Sequence, residues 1–262
     1  MGEDGAEPGE KPEITEIEIA NKEDVVQAPK KTLPRLSPWE RLFEIVATLI
    51  TGIVFIAKLL EPLSIFIASC AVVWLAWCTF QFCRHGIRIL FLWGVRIDQP
   101  NLRKSFLIPS LFAVAALIFI FIGAAVTNQE IRFDNWHLWV ILALYPFYGV
   151  LQHVMLQSFL MRNLSWCITG MDDCSVLDVF LKKPALKHLM AVFACVLASA
   201  TAFAFVHWPD PWLIAGTGVM GVPWAIEYLL HRNILPLGFY HGVLGTLFYF
   251  WFMGRDPLHG MF

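Results

Sequence analysis

The chain has 262 residues, of which 58% are hydrophobic and 15% are charged. A soluble globular chain is roughly 45–50% apolar and about 25% charged, so this composition excludes an ordinary water-soluble domain. The formal net charge of −2 averages an acidic N-terminal region with basic loops and gives no reason to expect a nucleic-acid partner.

Residues 1–38 are rich in Glu, Pro and Lys and contain no aromatic side chain. Such a composition cannot bury a hydrophobic core, so we predict a disordered, acidic, cytosolic tail. Within it, residues 14–20 (ITEIEIA) alternate apolar and polar side chains. This run leaves open that the tail pairs with a cytosolic partner as a strand.

From Trp39 onward, apolar runs of near 20 residues recur, and about 20 residues are needed for a helix to cross a bilayer core of ~30 Å. We therefore predict an all-α, polytopic transmembrane bundle over residues 39–262. The mixture of Arg and bulky apolar residues in 83–104 predicts an amphipathic helix in the membrane interface. The predicted spans, about seven in number, are 43–60, 63–82, 108–127, 138–161, 188–207, 212–231 and 234–253.

Basic residues indicate the orientation of these spans, because Lys and Arg concentrate in cytosolic loops. If the N-terminus is cytosolic, the outer side holds only Lys58, Arg132 and Arg255. We therefore expect a cytosolic N-terminus and a C-terminus outside. The inner side then holds Lys30, Lys31, Arg35, Arg41, Arg84, Arg88, Arg96, Arg103, Lys104, Arg162, Lys182, Lys183, Lys187 and Arg232.

Polar side chains inside the predicted spans concentrate in the last four. A charge at mid-helix costs roughly 2.5–3.5 kcal/mol on insertion scales, so such residues are functional candidates. Residues four apart share a helix face, as His153 does with Gln157 and Glu227 does with His231. We expect them to surround one polar cavity, although a helix-end position for His231 and a structural hydrogen bond for His153 remain alternatives. The residues are Gln152, His153, Gln157, His207, Glu227, His231 and His241.

The order of these residues resembles the CAAX-protease and bacteriocin-processing family of intramembrane endopeptidases. The family pattern is EExxxR, then FxxxH, then HxxxN or HxxxD on successive helices. This sequence has Gln157-Ser158-Phe159-Leu160-Met161-Arg162, Phe203-Ala204-Phe205-Val206-His207 and His241-Gly242-Val243-Leu244-Gly245 at the corresponding places. The resemblance covers about residues 138–253.

The resemblance implies hydrolysis of a membrane-associated peptide, and lipidated peptides are among the substrates that it allows. In the family, the first glutamate and the FxxxH histidine activate water, while the third motif stabilises the oxyanion. The corresponding catalytic candidates are His207, His241, Gln157 and Arg162. Gln157 cannot accept a proton as a glutamate does, and Gly245 offers no side-chain donor to an oxyanion. Glu227 is the nearest carboxylate in this half of the chain and is the candidate to replace the glutamate.

Two other functions fit the same residues. A catalytically inactive relative would act as a membrane scaffold or assembly factor, with the tail recruiting a cytosolic partner. A metal-binding membrane protein would use imidazole and carboxylate ligands suited to zinc, here His153, Glu227, His231 and His241. We expect no organic cofactor, because neither a GxGxxG motif nor a phosphate-binding loop occurs in the sequence.

One spatial expectation argues against a shared site. The predicted spans place His207 near the outer end of span five, and His241 about 10 Å from the inner start of span seven. The two side chains then meet only if helices are tilted or broken, for which Pro209, Pro223 and Pro236 give an opportunity.

Overall fold

The computed structural model describes residues 33–58, 63–97, 102–171 and 176–260. Residues 1–32, which make up most of the predicted tail, lie outside the described residues. The described ranges are helical and contain no strand, which confirms the predicted all-α fold. The α-helices are α1 (Pro38–Ile56), α2 (Leu63–His85), α3 (Arg88–Leu92), α4 (Leu102–Val126), α5 (Trp136–His153), α6 (Arg162–Thr169), α7 (Val176–Lys182), α8 (Leu186–Phe205), α9 (Pro211–His231) and α10 (Leu235–Leu247).

Two π-helical segments extend this set. The first, π1 (Val154–Met161), joins α5 to α6 without a break, and the second, π2 (Phe248–Phe252), continues α10. A short 3₁₀ turn (Pro257–Gly260) follows. π-Helical turns inside α-helices are rare and occur frequently at functional sites.

Five of the described helices are long and apolar enough to cross a membrane. They are Ser64–His85, Leu102–Val126, Trp136–Thr169, Leu186–Phe205 and Pro211–His231. The first and last predicted spans coincide with α1 and α10, but α1 carries Glu40, Arg41 and Glu44 and α10 has 13 residues. Seven spans therefore remain a prediction, while a helical protein with apolar helices of membrane-spanning length is what the structure shows.

The predicted interfacial helix over 83–104 is replaced by shorter elements. Gly86 and Gly94 adopt positive φ angles of 61° and 84°, a conformation that glycine accepts at little cost, and α3 lies between them. Ile89 of α3 is fully buried, and the Ile234 amide donates to the Gly94 carbonyl at 2.9 Å. This segment therefore packs against the loop that precedes α10.

Small residues set the closest helix contacts. A Cβ added to Gly149 of α5 would lie 2.5 Å from the Gly238 carbonyl oxygen, and one added to Gly242 would lie 2.4 Å from Cα of Pro146. The backbones of α5 and α10 therefore touch, as small residues allow at helix interfaces in membranes. Since His153 lies one turn after Gly149 on α5 and His241 lies between Gly238 and Gly242 on α10, this packing brings the two side chains together.

The turn between α8 and α9 is fixed by Asp210. Its carboxylate accepts hydrogen bonds from the Trp212 and Leu213 amides and forms an ion pair with Arg255. Burial raises the pKa of Asp210, but the hydrogen bonds from Leu213 and Arg255 outweigh it and leave the pKa below its ordinary value. This cap begins α9 directly after the turn that carries His207.

Candidate active site: a buried histidine cluster

Side chains from four helices meet in one buried cluster, which we define as His153, Phe203, Trp224 and His241. The ring centroids of His153 and His241 are 5.4 Å apart, and Trp224 stacks on His241 at 5.0 Å. Phe203 lies 5.0 Å from His153. Each of the four side chains is at most 4% exposed. The rings therefore exclude bulk water from the two imidazoles.

Gln157, which stands where the family has its first glutamate, lies beside the cluster in π1. It is fully buried, and its Oε1 lies 2.8 Å from Nδ1 of His153. Its Nε2 donates to Oγ of Ser199 on α8 at 3.1 Å. The amide is therefore held at both ends, with its oxygen towards the histidine ring.

Three polar atoms of the cluster have no hydrogen-bond partner among the described residues. They are Nε2 of His153, Nδ1 of His241 and Nε1 of Trp224. Most buried polar atoms in proteins are hydrogen-bonded to protein or to ordered water, so these three nitrogens can take up a water or a ligand. The cluster thus presents one N–H donor and two imidazole nitrogens to whatever occupies the space between the rings.

His207 lies in the turn after α8 and borders the cluster. Its Nδ1 lies 2.7 Å from the Phe203 carbonyl oxygen, an acceptor, so Nδ1 carries the proton and Nε2 carries the lone pair. Burial lowers the pKa of His207, with the Phe203 carbonyl and the Asp210 charge opposing that effect.

Phe203 links the two histidines that the predicted spans separate. Its carbonyl oxygen lies 2.7 Å from Nδ1 of His207, and its ring lies 5.6 Å from the His241 ring. Helix α8 ends at Phe205, two residues before His207. The seven predicted spans give each histidine a depth in the membrane, but they do not predict which side chains it contacts.

Gly245, the position of the family asparagine, faces an aromatic ring. A Cβ added there would lie 2.8 Å from Cε1 of Tyr145, and the Tyr145 ring lies 6.1 Å from the His241 ring. An asparagine side chain would meet this ring, so Tyr145 and Gly245 together fill the space beside His241.

Arg162 lies away from the cluster, in a second polar centre. Its Nη2 donates to Oε2 of Glu44 at 2.5 Å, and Asn163 donates to the same oxygen at 2.6 Å. Arg162 is 1% exposed. The hydrogen bonds of Arg162 therefore join the arginine of the first motif to α1 and, among the described residues, reach none of the three histidines.

Glu227 and His231 form a separate pair on α9, with Oε1 and Nε2 3.8 Å apart. Glu227 makes no hydrogen bond to the cluster, and neither of its oxygens has a hydrogen-bond partner among the described residues. The four metal-ligand candidates thus fall into two pairs, His153 with His241 and Glu227 with His231. Within the described ranges, no group of three or more His, Cys, Asp or Glu side chains is arranged to hold a metal ion.

Three residues at the site were not identified from the sequence: Tyr145, Ser199 and Trp224. Tyr, Ser and Trp are common in apolar helices, so none of them carried a signal alone. The glycines at 238 and 242, spaced as in the GxxxG pattern of packed membrane helices, could have indicated that α10 packs closely on another helix.

Comparison of the chain with protein-family models, with curated proteins and with solved structures found no match.

Proposed function

We propose that this protein is a membrane-embedded relative of the CAAX-type intramembrane endopeptidases, which binds a membrane-associated peptide at the histidine cluster and hydrolyses it. The observation that carries the proposal is the contact between the His153 and His241 rings, 5.4 Å apart, with His207 linked to them through Phe203. These residues come from three separated segments, and Nε2 of His153 and Nδ1 of His241 have no hydrogen-bond partner among the described residues. An FxxxH segment and a second histidine that contacts its phenylalanine match the family pattern.

Imidazole in a water-poor site suits peptide hydrolysis. Its neutral form accepts a proton from water and its protonated form returns that proton to the leaving amine. Electrostatic interactions are stronger in a site without bulk water, so a donor near the reacting carbonyl contributes more there. The Nε1–H of Trp224 is a donor of this kind at the edge of the cluster.

A membrane-anchored substrate fits the outer surfaces of the helices. Large apolar side chains are widely exposed on them, among them Val72, Leu75, Phe193 and Val219, each at least 66% exposed. Such surfaces face lipid in a membrane protein. A peptide held in the bilayer by a lipid or by an apolar segment reaches these helices without first crossing water.

The proposal includes seven spans, a cytosolic N-terminus and an outer C-terminus. It rests on the placement of Lys and Arg and on α1 and the α10–π2 helix as the two additional spans. With this orientation, the described turn carrying His207 and the Arg255 segment lie on the outer side.

A second candidate function is peptide binding without hydrolysis. The observation that favours it is chemical: within the described residues, no carboxylate makes a hydrogen bond to His153, His207 or His241. A protein of this kind would hold a lipidated or apolar peptide as a scaffold.

The deciding experiment uses the purified protein in lipid nanodiscs with a pool of membrane-anchored and prenylated peptides, each carrying a photo-crosslinker. Crosslinking reports binding, and mass spectrometry reports cleavage. His207→Ala and Glu227→Ala are compared with wild type. His188→Ala, on the first turn of α8, serves as a histidine control outside the cluster.

We expect crosslinked peptide and cleavage with wild type and with His188→Ala, and loss of cleavage with His207→Ala. Crosslinking without any cleavage would establish the binding function instead. A protein that captures no peptide from the pool would contradict both. Loss of cleavage on Glu227→Ala alone would move the catalytic group to α9.

A further inference from the structure

We infer that His153 supplies the general base of the reaction, in the place that the family gives to its first glutamate, and that Gln157 positions it. This inference rests on the proposed hydrolase function and names the residue that performs its first step. His153 lies four residues before Gln157 and belongs to none of the three family motifs. Its role follows from the hydrogen bonds that the two side chains share.

The Gln157 amide fixes which nitrogen of His153 carries the proton. Because its Nε2 donates to Ser199 at 3.1 Å, its Oε1 faces the ring, and Nδ1 of His153 lies 2.8 Å from that oxygen. An amide oxygen accepts, so Nδ1 donates and Nε2 holds the free lone pair. An orienting group behind a histidine plays the same part in hydrolases whose base is an imidazole.

Nε2 of His153 is available to a water molecule because no described residue forms a hydrogen bond with it. Nε2 of His153 is buried and has no hydrogen bond within the described residues. The nearest rings are Phe203, Trp224 and His241 at 5.0–5.4 Å, which leaves a polar atom in an aromatic enclosure. A buried water makes two to four hydrogen bonds to otherwise unsatisfied groups, and Nε2 of His153 with Nδ1 of His241 offers two.

The reaction then balances with water as the only co-reactant. The water oxygen forms a bond to the peptide carbonyl carbon while one water proton passes to Nε2 of His153. The carbon–nitrogen bond breaks next, and the proton on Nε2 passes to the leaving nitrogen. The products are a carboxylic acid and an amine, and His153 returns to its neutral form with Nδ1 still hydrogen-bonded to Gln157.

The other candidates for the base are placed less well. Both oxygens of Glu44 are engaged by Trp93, Arg162 and Asn163. Glu227 lies beside His231, and neither of its oxygens makes a hydrogen bond to the cluster. His207 contributes a nitrogen from the edge of the cluster, which suits contact with substrate.

The test is single-turnover cleavage in nanodiscs of the peptide best cleaved by wild type, with peptide affinity measured in parallel. The variants are His153→Gln, Gln157→Glu and the double variant. General-base catalysis contributes about 100- to 10,000-fold, so His153→Gln is expected to lower the cleavage rate at least 100-fold at unchanged affinity. Glutamate at 157 restores the family base, so in that background His153→Gln is expected to lower the rate less than tenfold.

The outcomes separate the two proposals. If wild type cleaves and His153→Gln retains the wild-type rate, His153 is not the base, while the hydrolase function stands. If His153→Gln is equally damaging in both backgrounds, its role is structural and the inference is wrong. If only Gln157→Glu cleaves, the site is of the family type but wild type is a binding protein, and the inference fails together with hydrolysis.

Discussion

Two buried polar centres lie between the helices, and they differ in how their atoms are partnered. At the Glu44 centre, both carboxylate oxygens accept hydrogen bonds, from Trp93, Arg162 and Asn163. At the histidine cluster, His153 and His241 each keep a buried nitrogen without a partner among the described residues. The carboxylate of Glu44 therefore has a donor at each oxygen, whereas the two imidazoles, like Nε and Nη1 of Arg162, keep buried nitrogens without a partner among the described residues.

Under the proposed function, the two centres have different roles, one in folding and one in chemistry. A charged group buried in a protein is tolerated when it is paired and hydrogen-bonded, as Glu44 is. A buried polar atom left without a partner costs about 1–3 kcal/mol. The Glu44 centre joins α1 to α6, while we propose that the histidine cluster offers its unpartnered nitrogens to a ligand.

Replacing Glu44 should give the largest loss of stability. In Glu44→Leu, the Arg162 guanidinium stays buried without its carboxylate, and breaking a buried ion pair in this way costs about 3–5 kcal/mol. We expect a large fall in the free energy of unfolding, measured by tryptophan fluorescence of the detergent-solubilised protein during denaturation.

Glu130→Gln, at an exposed carboxylate in the α4–α5 loop, is the control and should unfold as wild type does. The double variant Glu44→Leu, Arg162→Leu should recover part of the loss, since it leaves no unpaired charge. Wild-type stability in Glu44→Leu would remove the contrast between the two centres.

Gly242→Ala should have the next largest effect, and it acts on the cluster through the backbone. The added Cβ would lie 2.4 Å from Cα of Pro146, so α10 must move away from α5. Overpacking of this kind costs about 1–3 kcal/mol. A shift near 1 Å can cost roughly 100-fold in rate. We therefore expect the folded fraction of the variant to cleave peptide more slowly by a factor of this order.

Gly52→Ala is the matched control, because a Cβ at that position in α1 meets no atom within 4 Å. It should leave cleavage unchanged and raise helix stability slightly. Equal rates in Gly242→Ala and wild type would show that the spacing between α5 and α10 does not set the geometry of the cluster.

The fold was predictable where hydrophobicity alone determines it. Runs of apolar residues predicted helices at 63–82, 108–127 and 188–207, and the structure has α2, α4 and α8 there. The sequence did not predict that the charged residues of α1 are buried, or that glycine turns lie on both sides of α3. A charged helix can still be buried when a distant partner exists, and Arg162 is 118 residues away from Glu44.

The candidate site was predictable only as a set of unusual residues. Histidines in apolar helices stand out in any sequence, so His153, His207 and His241 were found. The proximity of His153 and His241 depends on the contact of α5 and α10 at Gly149, Gly238 and Gly242, and that contact follows from three-dimensional packing. The pairing of Arg162 with Glu44 could be recognised only from the fold, since neither local sequence indicates which residue is its partner.

His241→Leu should have the smallest effect on stability and a complete effect on cleavage. The side chain packs among Tyr145, Phe203 and Trp224, so an apolar replacement of similar size keeps most of the contact. It also removes a buried Nδ1 that has no partner within the described ranges. We expect the free energy of unfolding, measured under the same denaturing conditions, to change by less than about 1 kcal/mol. Destabilisation as large as that of Glu44→Leu would mean that His241 holds the helices together, because only a group whose bonds support the fold costs that much to remove. A stable protein without cleavage would instead place the function of the cluster in the nitrogen that the fold leaves free.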